Sequence, residues 1–340
     1  MTRLRPIEIV GGGLAGLALG AALRRAGVPV TVFEAGDYPR HRVCGEFIAG
    51  LDAGTIERLG LAPALADALL HREVAWFIGG RPARIQRLPS PALGLSRHAL
   101  DARLAQAFLA AGGDLRTRTR VSDLAPKEGR ILAVGRRPGS SPWFGLKAHV
   151  RGLAMRRDLE VHLGDAAYVG VSGVEGGWAN VCGLFRRQRI ESKDSNPLPA
   201  RLRAAGLDEL AARLEAAETD EDSLCSVAAM NFQRRPPPGA GACIGDAYAM
   251  IPPFTGNGMT MAFQGADAAL GPLLAYSRGE GDWSAASKGI HAALGRRFRL
   301  RLASAGFLHP FLLRRPRQRW LAILDRFRLL PLSHLYNLLH

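Results

Sequence analysis

The feature that most constrains this chain is a glycine-rich turn set between an apolar strand and an Ala-rich helix close to the start of the sequence. Residues 7–10 are apolar except for Glu8, Gly11-Gly12-Gly13-Leu14-Ala15-Gly16 follows, and residues 14–26 carry apolar side chains at helical spacing. Gly11 permits a tight turn out of the strand, Gly13 leaves room for backbone to approach a pyrophosphate, and Gly16 lets the helix lie close to the sheet. The helix start offers unpaired N–H groups and a partial positive charge to an anion. Residues 28–34 read as a second strand ending in Glu34, an acid placed to accept hydrogen bonds from a ribose. The segment therefore predicts a βαβ unit that binds a dinucleotide.

Beyond it, residues 37–50 read as an extended loop and 53–70 as a helix. Residues 73–78 and 83–88 alternate as a hairpin around Gly79-Gly80. A helix is predicted over 97–111, closed by Gly112-Gly113, and a short strand over 131–134. Strands follow at 143–150, 159–163, 167–171 and 179–185, then an exposed helix over 198–217 and a strand over 223–230. Residues 234–241 hold three prolines and read as a linker, before a strand at 242–244 and a helix over 259–276. The expected fold is α/β. A Rossmann-like dinucleotide-binding domain (1–70, 96–135 and 240–290) is interleaved with a mostly β substrate-binding domain (71–95 and 136–239), and a C-terminal helical region spans 291–340.

A lone glycine fingerprint does not separate NAD from FAD; the far end of the chain does. Gly245-Asp246 follows the strand at 242–244, and Pro252-Pro253-Phe254-Thr255-Gly256-Asn257-Gly258-Met259 leads into a helix. Asp246 can hold the ribityl hydroxyls of a flavin. Gly256 and Gly258 permit close backbone approach, and the helix start can stabilise negative charge on a reduced flavin ring.

Three separated motifs, the Gly11 fingerprint, Arg42-Val43-Cys44-Gly45-Glu46 and Gly245-Asp246 through Gly258, resemble the flavoprotein superfamily that holds aromatic hydroxylases, geranylgeranyl reductases and flavin-dependent halogenases. Within it the chain looks most like the geranylgeranyl-reductase branch: Cys44-Gly45 sits in the loop after the second strand, and Ala249 replaces the His that hydroxylases carry after Gly-Asp. The resemblance implies FAD as cofactor, held by Gly11, Gly13, Leu14, Ala15, Gly16, Glu34, Arg42, Cys44, Gly45, Arg97, Val121, Gly245, Asp246, Pro253, Gly256, Asn257, Gly258 and Met259. The chain departs from hydroxylases at Ala133-Val134-Gly135-Arg136, where they carry Asp-Gly. It departs from halogenases at Gly177-Trp178-Ala179-Asn180-Val181, so halogenation is not expected. Residues 120–130 are too few for the three-stranded meander of relatives.

The implied chemistry is FAD-dependent reduction of a double bond in a lipophilic, prenyl- or polyketide-like substrate, with NAD(P)H as electron donor. Cys44 and Glu46 are the candidate proton donors, and Lys147, His149 and Trp178 the candidate substrate contacts. His41 and His98 flank these segments and read as hydrogen-bonded or solvated histidines before proton carriers. The alternatives are a flavin monooxygenase and a non-catalytic flavin-binding protein. The net charge of +15 reflects 41 Arg against 4 Lys spread along the chain, and aromatic residues are 7%, so nucleic acid is not an expected partner. Four cysteines form no C-x-x-C pair, and no metal site is expected. The start at Met1 leaves no room for a secretory signal before the first strand, which places the protein in the cytoplasm. Ten arginines between 296 and 328, interleaved with apolar residues, suit peripheral contact with the inner membrane face.

Overall fold

The computed structural model describes residues 4–136, 139–188, 196–232, 241–314, 316–318 and 320. In chain order the strands are β1 (Ile7–Val10), β2 (Val30–Phe33), β3 (Phe47–Ile48), β4 (Leu69–Ile78), β5 (Arg81–Gly94), β6 (Asp114–Arg116), β7 (Arg130–Leu132), β8 (Trp143–Arg151), β9 (Leu159–Gly164), β10 (Ala167–Gly173), β11 (Ala179–Arg186), β12 (Glu218–Val227) and β13 (Ala242–Cys243). The helices are α1 (Leu14–Arg25), α2 (Ala53–Leu59), α3 (Arg97–Ala110), α4 (Leu198–Ala204), α5 (Asp208–Glu215), α6 (Gly258–Arg278) and α7 (Trp283–Leu312).

They build two sheets. Five parallel strands run in the order β13-β7-β1-β2-β6, so the opening βαβ unit is completed by β13 from far down the chain. Eight strands form the second sheet, β12-β8-β11-β10-β9-β4-β5-β3. The large sheet draws β3 from within the 37–50 loop. Ile7, Ile9 and Val10 of β1 are buried, and α1 packs against α3 and α6 in the same core. Gly20 makes this approach possible, because a Cβ there would press on the Phe108 ring.

Several elements differ from the sequence expectation, each for a local reason. The helix expected over 53–70 stops at Gly60, which takes φ 59° as a left-handed cap; a 3₁₀ turn at Ala62–Leu65 follows, and Leu69 already belongs to β4. The helix expected over 198–217 breaks at Gly206 (φ 73°) into α4 and α5. These helices are not simply exposed: Leu198, Leu202, Leu207, Leu210 and Leu214 are buried against the large sheet. β6 escaped a periodicity reading because three residues are too few to show alternation. Residues 117–127 form no strand, in keeping with the missing meander. The linker read at 234–241 lies, except for Gly241, outside the described residues, as does nearly all of the tail beyond Arg314. Among the described residues no helix is long and apolar enough to cross a membrane.

Gly11 adopts φ 110°, and a Cβ there would overlap the carbonyl of Ala133 after β7. Gly11→Ala should therefore lower folding stability by more than about 1 kcal/mol, read as a fall in the urea midpoint relative to the parent.

Candidate functional site

The C-terminal ends of the parallel strands open onto a single cavity of about 1000 Å³, at the upper end of the sizes that hold small-molecule ligands. One end is walled by Gly11, Gly13, Leu14 and Ala15, with Glu34 beyond β2; the other by Pro253, Gly256, Gly258 and Met259 at the start of α6. Gly245 and Asp246, after β13, sit between them, and the large sheet closes the remaining side with Gly145, Tyr168, Gly170, Cys182, Leu184 and Cys225. Ligand sites at the carboxyl ends of parallel strands follow from this topology, since helix starts converge there.

The glycine turn is held from below. Glu34 accepts from Gly12 N at 2.8 Å, from Gly36 N at 3.0 Å and from Arg40 Nη2 at 2.7 Å, while Tyr38 Oη donates to the Gly12 carbonyl. Space above Gly13 is open: a Cβ there would meet no atom within 4 Å. Arg42 Nη2 is buried with no hydrogen-bond acceptor among the described residues; its nearest carboxylate oxygen, on Glu34, is 3.8 Å away. A bare glycine cradle and an unsatisfied guanidinium beside it fit an anionic dinucleotide. Asp246 is exposed to the cavity, and partial desolvation by the surrounding wall raises its pKa against the pull of Arg97 and Arg136.

Residues 42–46 are tied down from α3 and from the large sheet. Arg42 Nε donates to Asp101 at 2.9 Å, and Arg97 forks onto the same carboxylate at 2.7 and 2.8 Å. Asn180 Nδ2 donates to the Cys44 carbonyl at 3.0 Å and Ser172 Oγ to the Gly45 carbonyl at 2.8 Å. Ser96 caps α3, accepting from Ala99 N at 3.0 Å and donating to Glu175. Burial pushes the Cys44 thiol up, so it stays protonated.

Glu46, fully buried at φ 57°, is the centre of a charge cluster. Its carboxylate lies 3.1 Å from Lys147 Nζ and 2.5 Å from His149 Nε2, and it accepts from Arg97 N at 3.0 Å. Burial alone would raise the Glu46 pKa; His149, Lys147 and Arg97 N more than offset it and hold the carboxyl below the usual carboxylate range. Lys147 Nζ also lies 3.0 Å from His41 Nδ1.

Of the residues expected to touch the cofactor, all but Gly16 and Asn257 line the cavity, Val121 included. Gly16 packs under the turn, where a Cβ would overlap the Gly11 carbonyl, and Asn257 is buried, its Nδ2 donating to Thr255 O at 3.1 Å. The expectation of Glu46 as a proton donor needs correction: three donors keep it an acceptor. Lys147 and His149 do not line the cavity, and Trp178 is not part of it; Trp178 borders a separate hollow of about 330 Å³, with Arg151 stacked 4.2 Å over its ring. Sequence reading missed Asp101 as the common anchor of Arg42 and Arg97, although its i,i+4 spacing from Arg97 was a usable signal. It named His41 as a hydrogen-bonded or solvated histidine before a proton carrier, but not its partner Lys147, which His41 meets only through tertiary structure. His41, His149 and Asp220 bring one potential metal-ligating atom each within 4.8 Å of one another, but the Lys147 ammonium against His41 disfavours a cation there.

Residues 9–44 match the family model described as an NAD(P)-binding Rossmann-like domain. Two solved structures align over nearly the whole chain. The flavin-dependent brominase Bmp2 is 18% identical, with a TM-score of 0.76 over 99% of this chain and 93% of that one. The p-nitrophenol 4-monooxygenase PnpA from Pseudomonas putida DLL-E4 is 15% identical, with a TM-score of 0.74 over 99% of each. This chain shares its fold with these two enzymes. Among curated proteins the chain is similar to the menaquinone reductase of Mycolicibacterium smegmatis, 29% identical over 133 residues. That match spans 38% of this chain and 32% of the reductase, so the chain covers about a third of the relative's length.

Replacing Glu46 with Gln would leave the buried Lys147 without its counter-charge. We expect Glu46→Gln to destabilise the fold by about 3 kcal/mol in denaturant titrations at neutral pH. Because the Glu46 pKa is depressed in the folded state, its contribution is complete above the ordinary carboxylate range and fades as pH falls through the lowered value. The deficit of the variant should shrink correspondingly in acid.

Proposed function

We propose that this chain is an FAD-dependent oxidoreductase that reduces a carbon–carbon double bond of a lipophilic, prenyl- or polyketide-like substrate with electrons from NAD(P)H. The observation that carries this reading is the continuity of one cavity from the Gly11–Ala15 amides to the Pro253–Met259 turn. Two helix starts that face one elongated space suit a ligand with a diphosphate near one end and an electron-accepting ring at the other. Bound FAD would supply hydride chemistry there.

The chain's own residues do the rest. The amides at Gly13–Ala15 take the pyrophosphate, and Glu34 the ribose. Asp246 accepts from the ribityl hydroxyls, and the start of α6 favours negative charge at the ring edge. The side of the cavity formed by Gly145, Gly170, Leu184, Val227 and Met230 offers an apolar, small-residue surface for an uncharged substrate. The partial match to menaquinone reductases supports a reductase acting on a lipophilic molecule. Outward-facing Leu300 and Phe307 on α7, near Arg296 and Arg299, suit contact with an anionic lipid surface from which such a substrate could come. A second reading, monooxygenation, is favoured by the names of the structural neighbours.

Purified protein should show flavin absorbance, and NADPH with substrate should consume substrate under strict anaerobiosis. An absolute need for oxygen, with peroxide formed in its uncoupled reaction, would select the monooxygenase instead. Gly13→Val should leave thermal stability close to the parent, since its Cβ position is open, yet abolish retained flavin. A flavin content equal to the parent's would remove the assigned diphosphate site.

A further inference from the structure

Reduction of a double bond by hydride leaves a carbanion that must take up a proton, and the two residues first expected to deliver it, although both line the cavity, are poor donors. Glu46 is held as an acceptor, and burial raises the pKa of the Cys44 thiol and disfavours the thiolate that donation would leave. Behind Glu46, however, a chain of donors reaches the cavity. His41 lines the cavity wall, and its Nδ1 lies 3.0 Å from Lys147 Nζ. An ammonium has only donors, so Nδ1 must accept and the ring proton must sit on Nε2. Nε2 of His41 makes no hydrogen bond among the described residues.

We propose that His41 is the catalytic proton donor to substrate in this cavity and that Lys147, held by Glu46, is the positioning residue that fixes its tautomer and replaces its proton. This rests on the reductase reading above. In the step, the His41 Nε2–H bond breaks and its proton joins the substrate carbanion, while one Lys147 N–H proton passes to Nδ1. The ring stays neutral throughout, and the lysine becomes an amine beside the Glu46 carboxylate. A proton from water at Nε2, with return of the Nδ1 proton to the amine, restores the start. No electron moves in this exchange.

Among the described residues, several charged or titratable groups face the ring. Lys147 and His149 come from β8, His98 from α3 (ring centroids 4.5 Å from His41), Glu46 from its own loop and Asp220 from β12. Burial first, and then Lys147, push the His41 pKa down to about 4, so the ring is neutral at physiological pH. The lysine is anchored in turn. Cys182 and Cys225 flank it in register on β11 and β12, and Glu46 lies 3.1 Å away.

The test has a spectroscopic arm and a kinetic arm. ¹⁵N NMR of the protein without substrate should show His41 as the Nε2–H tautomer, neutral down to about pH 5. In Lys147→Met its pKa should rise by roughly one unit or more and the tautomer preference should be lost. In single turnover, His41→Gln should slow substrate reduction by ~10²-fold or more, with substrate Kd within about threefold of the parent. Lys147→Met should slow it comparably and alter the pH profile. A parent His41 that titrates near the ordinary histidine value would overturn the proposal, as would an unimpaired His41→Gln in an active parent. His41→Gln stands independently should Lys147→Met fail to fold. A parent with no double-bond reductase activity would overturn the reaction itself, and the NMR result separates that failure from a wrong assignment of the donor.

Discussion

One buried carboxylate organises the site. Glu46 has no access to water, and an ionised group in that position is tolerable only because each of its oxygens is met by a donor. Those donors come from different parts of the molecule: Lys147 and His149 from the large sheet, and the backbone N–H of Arg97 from the first turn of α3. Glu46 thus joins the nucleotide side to the β side at a single point, at the cost of a left-handed backbone conformation unusual for a glutamate. The carbonyls of Cys44 and Gly45 are held by Asn180 and Ser172 for the same reason: a loop this enclosed must have its backbone polar groups satisfied.

Around that anchor the parallel sheet does geometric work. β13 returns beside β7, and a Cβ on Gly245 would sit against Ala15 of α1, so the two glycine-bearing loops become neighbours. At the far end Gly256 (φ 68°) lies so close to the Phe47 ring that a Cβ would overlap it. At these two points glycine backbone forms the frame of the cavity. An extended ligand can lie along amides and helix starts without displacing bulky groups.

The electrostatics divide the cavity into two regions. Near the glycine turn are Arg40, Arg42 and Arg97, matched to an anionic ligand. On the large-sheet side, burial pushes up the pKa of Cys44, Cys182 and Cys225, the last to about 11, and these thiols remain neutral. His41 is likewise kept neutral. The cavity thus has an arginine-bearing end beside an uncharged, thiol-lined wall.

The sequence by itself determined the local elements whose signals are dense: β1, α1, β2, the hairpin at Gly79-Gly80, β8 to β11 of the large sheet and the helix start after Asn257. Their glycines act within a few residues, and their apolar periods are long enough to read. Short elements such as β6, and helices interrupted by Gly60 and Gly206, were misjudged because one left-handed glycine outweighs the propensity of its neighbours. Most cavity-lining residues at the two glycine loops were legible for the same reason: backbone approach leaves a mark in composition. The roles of Glu46, Lys147, His149 and His41 were not. These residues lie up to 108 positions apart (His41 to His149), and whether each is donor, acceptor or neutral depends on which partner the tertiary fold sets within 3.1 Å of it. Charge state is a property of surroundings, and only the folded chain supplies them.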